Sequence, residues 1–256
     1  MRSEILNKLQ KIEAKHQIKI IYAVESGSRG WGFASQDSDY DVRFLYLHPV
    51  EWYLSIETKP DLIEEPINNL LDISGWDLKK ALLLFRKSNP PLLEWLHSPI
   101  IYAEAYSTAK QLRTLETAYF APVPTVYHYL HIAKNKIAEI QLTEHVKLKK
   151  YFYILRPLLA CKWIIKYQTM PPMEFEHLLN AADLNLELIT EIQQLLAKKI
   201  AGQEVDLEPK NDLLADFFNS EIESYQNYLK INHQTKTPDY QALNQLFQAT
   251  LKEVWK

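Results

Sequence analysis

Apolar residues recur at helical spacing over residues 3 to 15, where Ile5, Leu6, Leu9 and Ile12 share a face behind Ser3 as candidate N-cap. The period then shortens. Ile18 to Val24 is an almost unbroken apolar run and predicts a buried strand. Tyr40 to Leu47 alternates, with Val42, Phe44 and Tyr46 on one face and Asp41, Arg43 and Leu45 on the other, which predicts a second strand. Ile67 to Ser74, bounded by Pro66 and Gly75, predicts a third, carrying Asn68, Leu70, Asp72 and Ser74 on a common face. From Asp77 the pattern turns helical through Leu78, Ala81, Leu82 and Phe85 until Asn89-Pro90-Pro91, and Leu92 to Leu96 resumes it briefly. Beyond about residue 100 everything reads helical. Candidate helices span 103 to 117, 124 to 141, 145 to 168, 173 to 182, 185 to 200, 211 to 231 and 239 to 254, punctuated by prolines and Gly202. The predicted fold class is therefore α+β. A small α/β part near residues 1 to 110 is followed by a mostly helical region, 111 to 256.

Composition narrows the function classes. The 256 residues are 47% hydrophobic and 24% charged, enough for one large domain or two smaller ones with real cores. With 29 Lys plus Arg against 32 Asp plus Glu, the net charge of -3 argues against a protein that coats polyanions, so any nucleic-acid contact must be local. The single cysteine, Cys161, lies in an apolar stretch, which excludes a disulfide framework and a cysteine zinc site and suits a reducing cytoplasm. The charged start, Met1-Arg2-Ser3-Glu4, and the lack of any apolar run near the roughly 20 residues that span a bilayer predict neither secretion nor membrane insertion.

Glycine is concentrated where chemistry is to be expected. Three of the five glycines, Gly27, Gly30 and Gly32, fall within six residues, between the first two predicted strands. The chain there runs from Glu25-Ser26-Gly27-Ser28-Arg29 to Asp37-Ser38-Asp39-Tyr40-Asp41-Val42-Arg43, so that Gly-Ser and Asp-x-Asp stand ten residues apart. Gly27 allows close approach of the backbone to a phosphate, and nearby N–H groups with the Ser28 hydroxyl can donate to its oxygens. Asp39 and Asp41, two apart in an extended segment, point the same way and call for a cation between them; hard oxygen ligands beside phosphate select Mg²⁺ or Mn²⁺. An EF-hand is excluded, because Val42 and His48 stand where that loop needs Gly and Glu. A Walker loop fails because no Gly-Lys-Ser/Thr follows, and the spacing of Gly27, Gly30 and Gly32 does not match the dinucleotide fingerprint.

This combination resembles the signature of the DNA polymerase β-like nucleotidyltransferase superfamily. The segments at 25 to 33, 38 to 42, Gly75-Trp-Asp-Leu-Lys-Lys-Ala-Leu82, Ser88-Asn-Pro90, Glu94-Trp-Leu96 and Tyr151-Phe-Tyr-Ile-Leu-Arg-Pro157 are similar to its bacterial RNA repair pathway branch. The resemblance covers roughly residues 20 to 165. It implies a nucleotidyltransferase-type mixed sheet and transfer of a nucleoside monophosphate from an NTP to a hydroxyl, with pyrophosphate released and two metal ions held by Asp39, Asp41 and a third carboxylate. Asp72 is the candidate for that third position and Asp77 its competitor, the latter placed as an N-cap. Gly27, Ser28 and Arg29 would contact the nucleotide.

One stretch is locally basic. Residues 126 to 168 hold eight Lys and Arg against Glu139 and Glu144, a balance of +6, with Tyr151, Phe152, Tyr153, Trp163 and Tyr167 interleaved. Helical spacing predicts Lys149, Tyr153 and Arg156 on one face, where they would hold triphosphate or base. Pro157 within this helix predicts a kink at the Tyr153 carbonyl. An RNA end is the expected acceptor. A Ser, Thr or Tyr hydroxyl of a protein would use the same site, and a chain lacking the third carboxylate would be a catalytically silent nucleotide-binding module.

Overall fold

The computed structural model describes residues 1–66, 70–141, 143–203, 207–232 and 238–256. In chain order its elements begin with α1 (Arg2–His16), β1 (Lys19–Glu25), α2 (Gly27–Gly30), β2 (Tyr40–Leu47), α3 (Val50–Tyr53), β3 (Leu62–Glu64), β4 (Leu71–Asp77), α4 (Leu78–Phe85), α5 (Pro90–Leu96), β5 (Ile101–Glu104) and α6 (Thr108–Tyr119). They continue with α7 (Pro122–Gln141), β6 (His145–Lys147), α8 (Leu148–Tyr167), α9 (Phe175–Asn180), α10 (Leu186–Lys198), β7 (Leu207–Pro209), α11 (Asp212–Ile231) and α12 (Gln241–Val254). The fold is mixed α and β, as the hydrophobic pattern predicts.

The chain forms two compact units, one of Met1–Gly30, Asp39–Phe120 and Thr237–Lys256, the other of Trp31–Ser38 and Ala121–Lys236. This division differs from a single cut near residue 110. The C-terminal helix belongs with the first unit because α12 buries Leu243 and Leu246 there and packs on α4 and α6. Thr250 meets Thr108 in a buried hydroxyl pair at 3.0 Å, and Glu253 accepts from the backbone and hydroxyl of Ser107. Segment 31–38 belongs with the second unit because Phe33 is buried there, with the half-buried Trp31 packed against it.

The first unit is built on a five-stranded sheet of order β3-β4-β2-β1-β5. β2 and β4 are parallel, and every other neighbouring pair is antiparallel. Ile5, Leu9 and Ile12 of α1 join Val42, Phe44 and Tyr46 of β2 and Leu71 and Ile73 of β4 in one buried cluster. The alternation puts Asp41, Arg43 and Leu45 on the opposite sheet face. The third strand differs from its prediction. It runs from Leu71 through Gly75 to Asp77, and of the predicted range 67 to 74 residues Ile67 to Asn69 lie outside the described residues. Gly75 is thus no turn: a Cβ there would stand 2.2 Å from the Phe44 ring, so the strand passes beneath that ring only without a side chain. β5, whose last two residues fall within the helix predicted over 103 to 117, is the edge strand beside β1.

In the second unit α8 packs along α7, and α11 packs on both. β6 and β7 form a two-stranded ribbon. α8 continues through Pro157 as one helix. Among the described residues no helix is long and apolar enough to cross a membrane.

Candidate active site

Each strand end brings one part of the site. β1 closes at Glu25, and the chain turns at Ser26 and Gly27 into the single helical turn α2. Gly27 has φ +55°, and a Cβ on it would fall 1.9 Å from Asp41 Oδ2. Both facts require glycine, the first through backbone conformation and the second through space. The Ser26 N–H donates to the Asp41 carbonyl at 2.8 Å, tying this turn to β2. Ser28 is half-buried in α2. Arg29 donates through Nε to the Asp39 carbonyl at 3.1 Å, and its guanidinium lies 3.7 Å from the centre of the Tyr40 ring. Arg29 thereby orders the entry to β2.

Asp39 is exposed immediately before β2, while Asp41 is the second residue of that strand. The parallel pairing of β2 with β4 sets Tyr40 against Leu71, Asp41 against Asp72 and Arg43 against Ser74. Asp41 and Asp72 are consequently neighbours across two strands, although 31 positions separate them in sequence, from 41 to 72. Burial pushes the Asp41 carboxyl above the usual carboxylate range; Arg43 opposes this, and the charges of Asp72 and Asp39 push the same way as burial. Asp77 stands elsewhere, paired with Tyr46 near the far end of β2. It caps α4 by accepting from the Lys79 N–H at 2.7 Å and accepts the Tyr53 hydroxyl at the same distance.

Two side chains of this cluster were not singled out by sequence reasoning. Arg43 Nη2 donates to Asp41 Oδ1 at 3.1 Å and to Asp72 Oδ2 at 2.7 Å, bridging the paired carboxylates. Glu25 is fully buried; its Oε1 accepts the Asp41 N–H at 2.7 Å and its Oε2 accepts the Tyr102 hydroxyl. Burial raises its pKa, with those two hydrogen bonds pulling the other way. A carboxylate at the end of an apolar strand, and an arginine sharing a strand face with an aspartate, are the sequence signals that could have found them.

The second unit holds the other predicted nucleotide contacts. Lys149 is half-buried and Tyr153 is 36% exposed, its ring edge-on to Trp31. Arg156 meets Trp31 as Tyr153 does, but it is buried. It is 3% exposed, donates to the Met173 carbonyl through Nε and Nη2, and lies 4.6 Å from the Trp31 ring centre. The cause is an aromatic cluster of Phe33, Phe152 and Phe175, with ring centres 5.4 to 5.5 Å apart and Trp31 against Phe33. The local cationic excess is also partly neutralised, since Lys136 and Lys150 pair with Glu139, Lys162 with Glu221, and Lys166 with Asp183.

The paired carboxylates suit a cation in one respect: a single nitrogen of Arg43 is already shared between Asp41 and Asp72. Among the described residues no three His, Cys, Asp or Glu side chains form a ready-made metal cage. The paired carboxylates thus already hold one cationic group, and the Gly27 turn lies directly against one of them.

The model of the RNA repair pathway DNA polymerase beta family matches residues 1–249. The uncharacterized protein YcgL of Bacillus subtilis (strain 168) is 51% identical over 256 residues, which is 100% of this chain and 98% of that one. A crystal structure of a nucleotidyltransferase-like protein from Exiguobacterium sibiricum 255-15 matches at 13% identity and a TM-score of 0.28, covering 88% of this chain and 79% of the other.

Proposed function

This chain belongs to the RNA repair pathway DNA polymerase beta family, and from that premise we propose that it transfers a nucleoside monophosphate from an NTP to the hydroxyl end of an RNA, releasing pyrophosphate. The observation that carries the reading is the strand register setting Asp41 beside Asp72, with the Gly27 turn against Asp41 and Asp39 one residue before the strand. Asp39, Asp41 and Asp72 would hold Mg²⁺ or Mn²⁺, two ions in this family's chemistry. When bound, such ions neutralise phosphate charge and make a hydroxyl more acidic.

The chain's own residues have distinct parts. The Gly27 turn and the Ser28 hydroxyl donate to phosphate oxygens, and Arg29 steadies the backbone that presents Asp39. Glu25, itself held by the Tyr102 hydroxyl, accepts the Asp41 N–H, so the carboxylate is oriented before substrate arrives. Asp72 accepts the proton of the attacking hydroxyl. Lys149 and Tyr153 stay in the proposal as contacts for a base or a phosphate. Arg156 contributes instead by fixing the interior around Trp31. A reducing cytoplasm suits the lone cysteine, Cys161, which is buried.

The test is incubation of the protein with each α-labelled NTP, Mg²⁺ or Mn²⁺, and bulk cellular RNA or protein, beside Asp39→Ala and Asp41→Ala. Label enters RNA with the wild type alone if the proposal holds. Label in protein would move the acceptor to a Ser, Thr or Tyr hydroxyl, and normal turnover in either variant would refute the assignment of the aspartates.

A further inference from the structure

Arg43 occupies the place between the two paired carboxylates. It follows Asp41 by two residues, so both side chains leave β2 on the same face. Its Nη2 reaches Asp41 Oδ1 and Asp72 Oδ2, while Nη1 reaches the carbonyls of Val42 at 3.1 Å and Asp72 at 3.2 Å. Four acceptors on two strands hold one guanidinium whose side chain is only 17% exposed. That is the environment of a built counter-ion and not of a solvated surface arginine, which would keep its charged head in water.

A cation bound through the same oxygens cannot share them with a guanidinium, because two positive centres would then meet at hydrogen-bond distance. We propose that Arg43 is a positioning residue that neutralises Asp41 and Asp72 while no divalent cation is bound, and that a cation must displace it to enter. The inference rests on the reading of these aspartates as cation ligands. Arginine stays charged at all working pH values, and its fork matches phosphate as well as carboxylate. An incoming triphosphate therefore offers Arg43 the anionic partner it gives up. Cation and nucleotide consequently bind better together than either does alone, and the site resists cations that arrive without a nucleotide.

Mn²⁺ affinity, followed by electron paramagnetic resonance without nucleotide, reads this directly. Arg43→Gln binds Mn²⁺ about tenfold or more tightly than the wild type, the order expected from losing one charge-assisted competitor. Arg43→Lys, which keeps the charge but loses the fork, binds with intermediate affinity and serves if the glutamine variant folds poorly. Lys11→Gln, which removes a surface charge from α1, keeps the wild-type affinity and shows that net charge alone is not responsible. Adding Asp41→Asn to Arg43→Gln abolishes the gain. If binding depends on Asp41 but neither Arg43 variant is tighter than wild type, the role of Arg43 is overturned and the cation site survives. If no variant binds Mn²⁺ through Asp41, the reading of the aspartates falls and the inference with it.

Discussion

Gly27 joins backbone conformation to the position of a reacting group. With φ +55° and no room for a Cβ beside Asp41, Gly27→Ala must move either the turn or the carboxylate. A displacement of about 1 Å at a reacting centre costs on the order of 100-fold in rate. We expect Gly27→Ala to lose about that much transfer activity while circular dichroism and the melting temperature show a folded protein. Near-normal turnover would mean that Asp41 is not held at its working position by this glycine. Gly27, Asp39 and Asp41 were legible because their spacing is local: a turn, ten residues and an alternating strand. Glu25 and Arg43 were less so, because their partners, Tyr102 and Asp72, come from distant parts of the chain. Arg156 shows the same limit in reverse. Helical spacing placed it beside Lys149 and Tyr153, but it could not foresee that Phe33 and Trp31, far earlier in sequence, would form the apolar wall that draws it inward.

Elements were read best where the apolar run or period is complete within the element. β1, β2, α1 and α4 fall close to their predicted bounds, since each carries a full run of its period. β4 was ended at Ser74, three residues short of Asp77, because Gly75 reads as punctuation until Phe44 is seen above it. Register, more than strand count, makes the site: one residue of slip between β2 and β4 would turn Asp72 to the other sheet face. Gly75 protects that register by letting the Phe44 ring settle on the strand. Gly75→Ala overpacks this contact and is expected to cost about 1 to 3 kcal/mol. Urea denaturation would show a lower midpoint with an unchanged slope, and Phe44→Leu in the same chain would restore part of the loss. An unchanged midpoint would show that the ring moves freely. β5 was missed because four residues cannot display a period, and its partner, β1, lies far back in the sequence.

At the scale of the whole molecule, hydrophobic pattern reveals that α12 has a buried face but not what covers it. The structure assigns that face to the first unit, where Leu243 and Leu246 are buried and Arg86 reaches the Pro238 carbonyl and the Tyr240 hydroxyl. A chain ending at residue 236 would retain every aspartate of the site and every strand of the five-stranded sheet, yet uncover apolar surface on α4 and α6. We expect it to melt lower than the full chain or to aggregate on expression, and equal thermal stability would show that α12 is dispensable. The same helix orders events during synthesis. The strands and the aspartates of the site are made before α12, the helix that completes their unit, because the residues of the second unit from 121 to 236 stand between them in the chain. A ribosome that stops before α12 therefore releases a chain with Asp39, Asp41 and Asp72 in place and an unfinished fold around them.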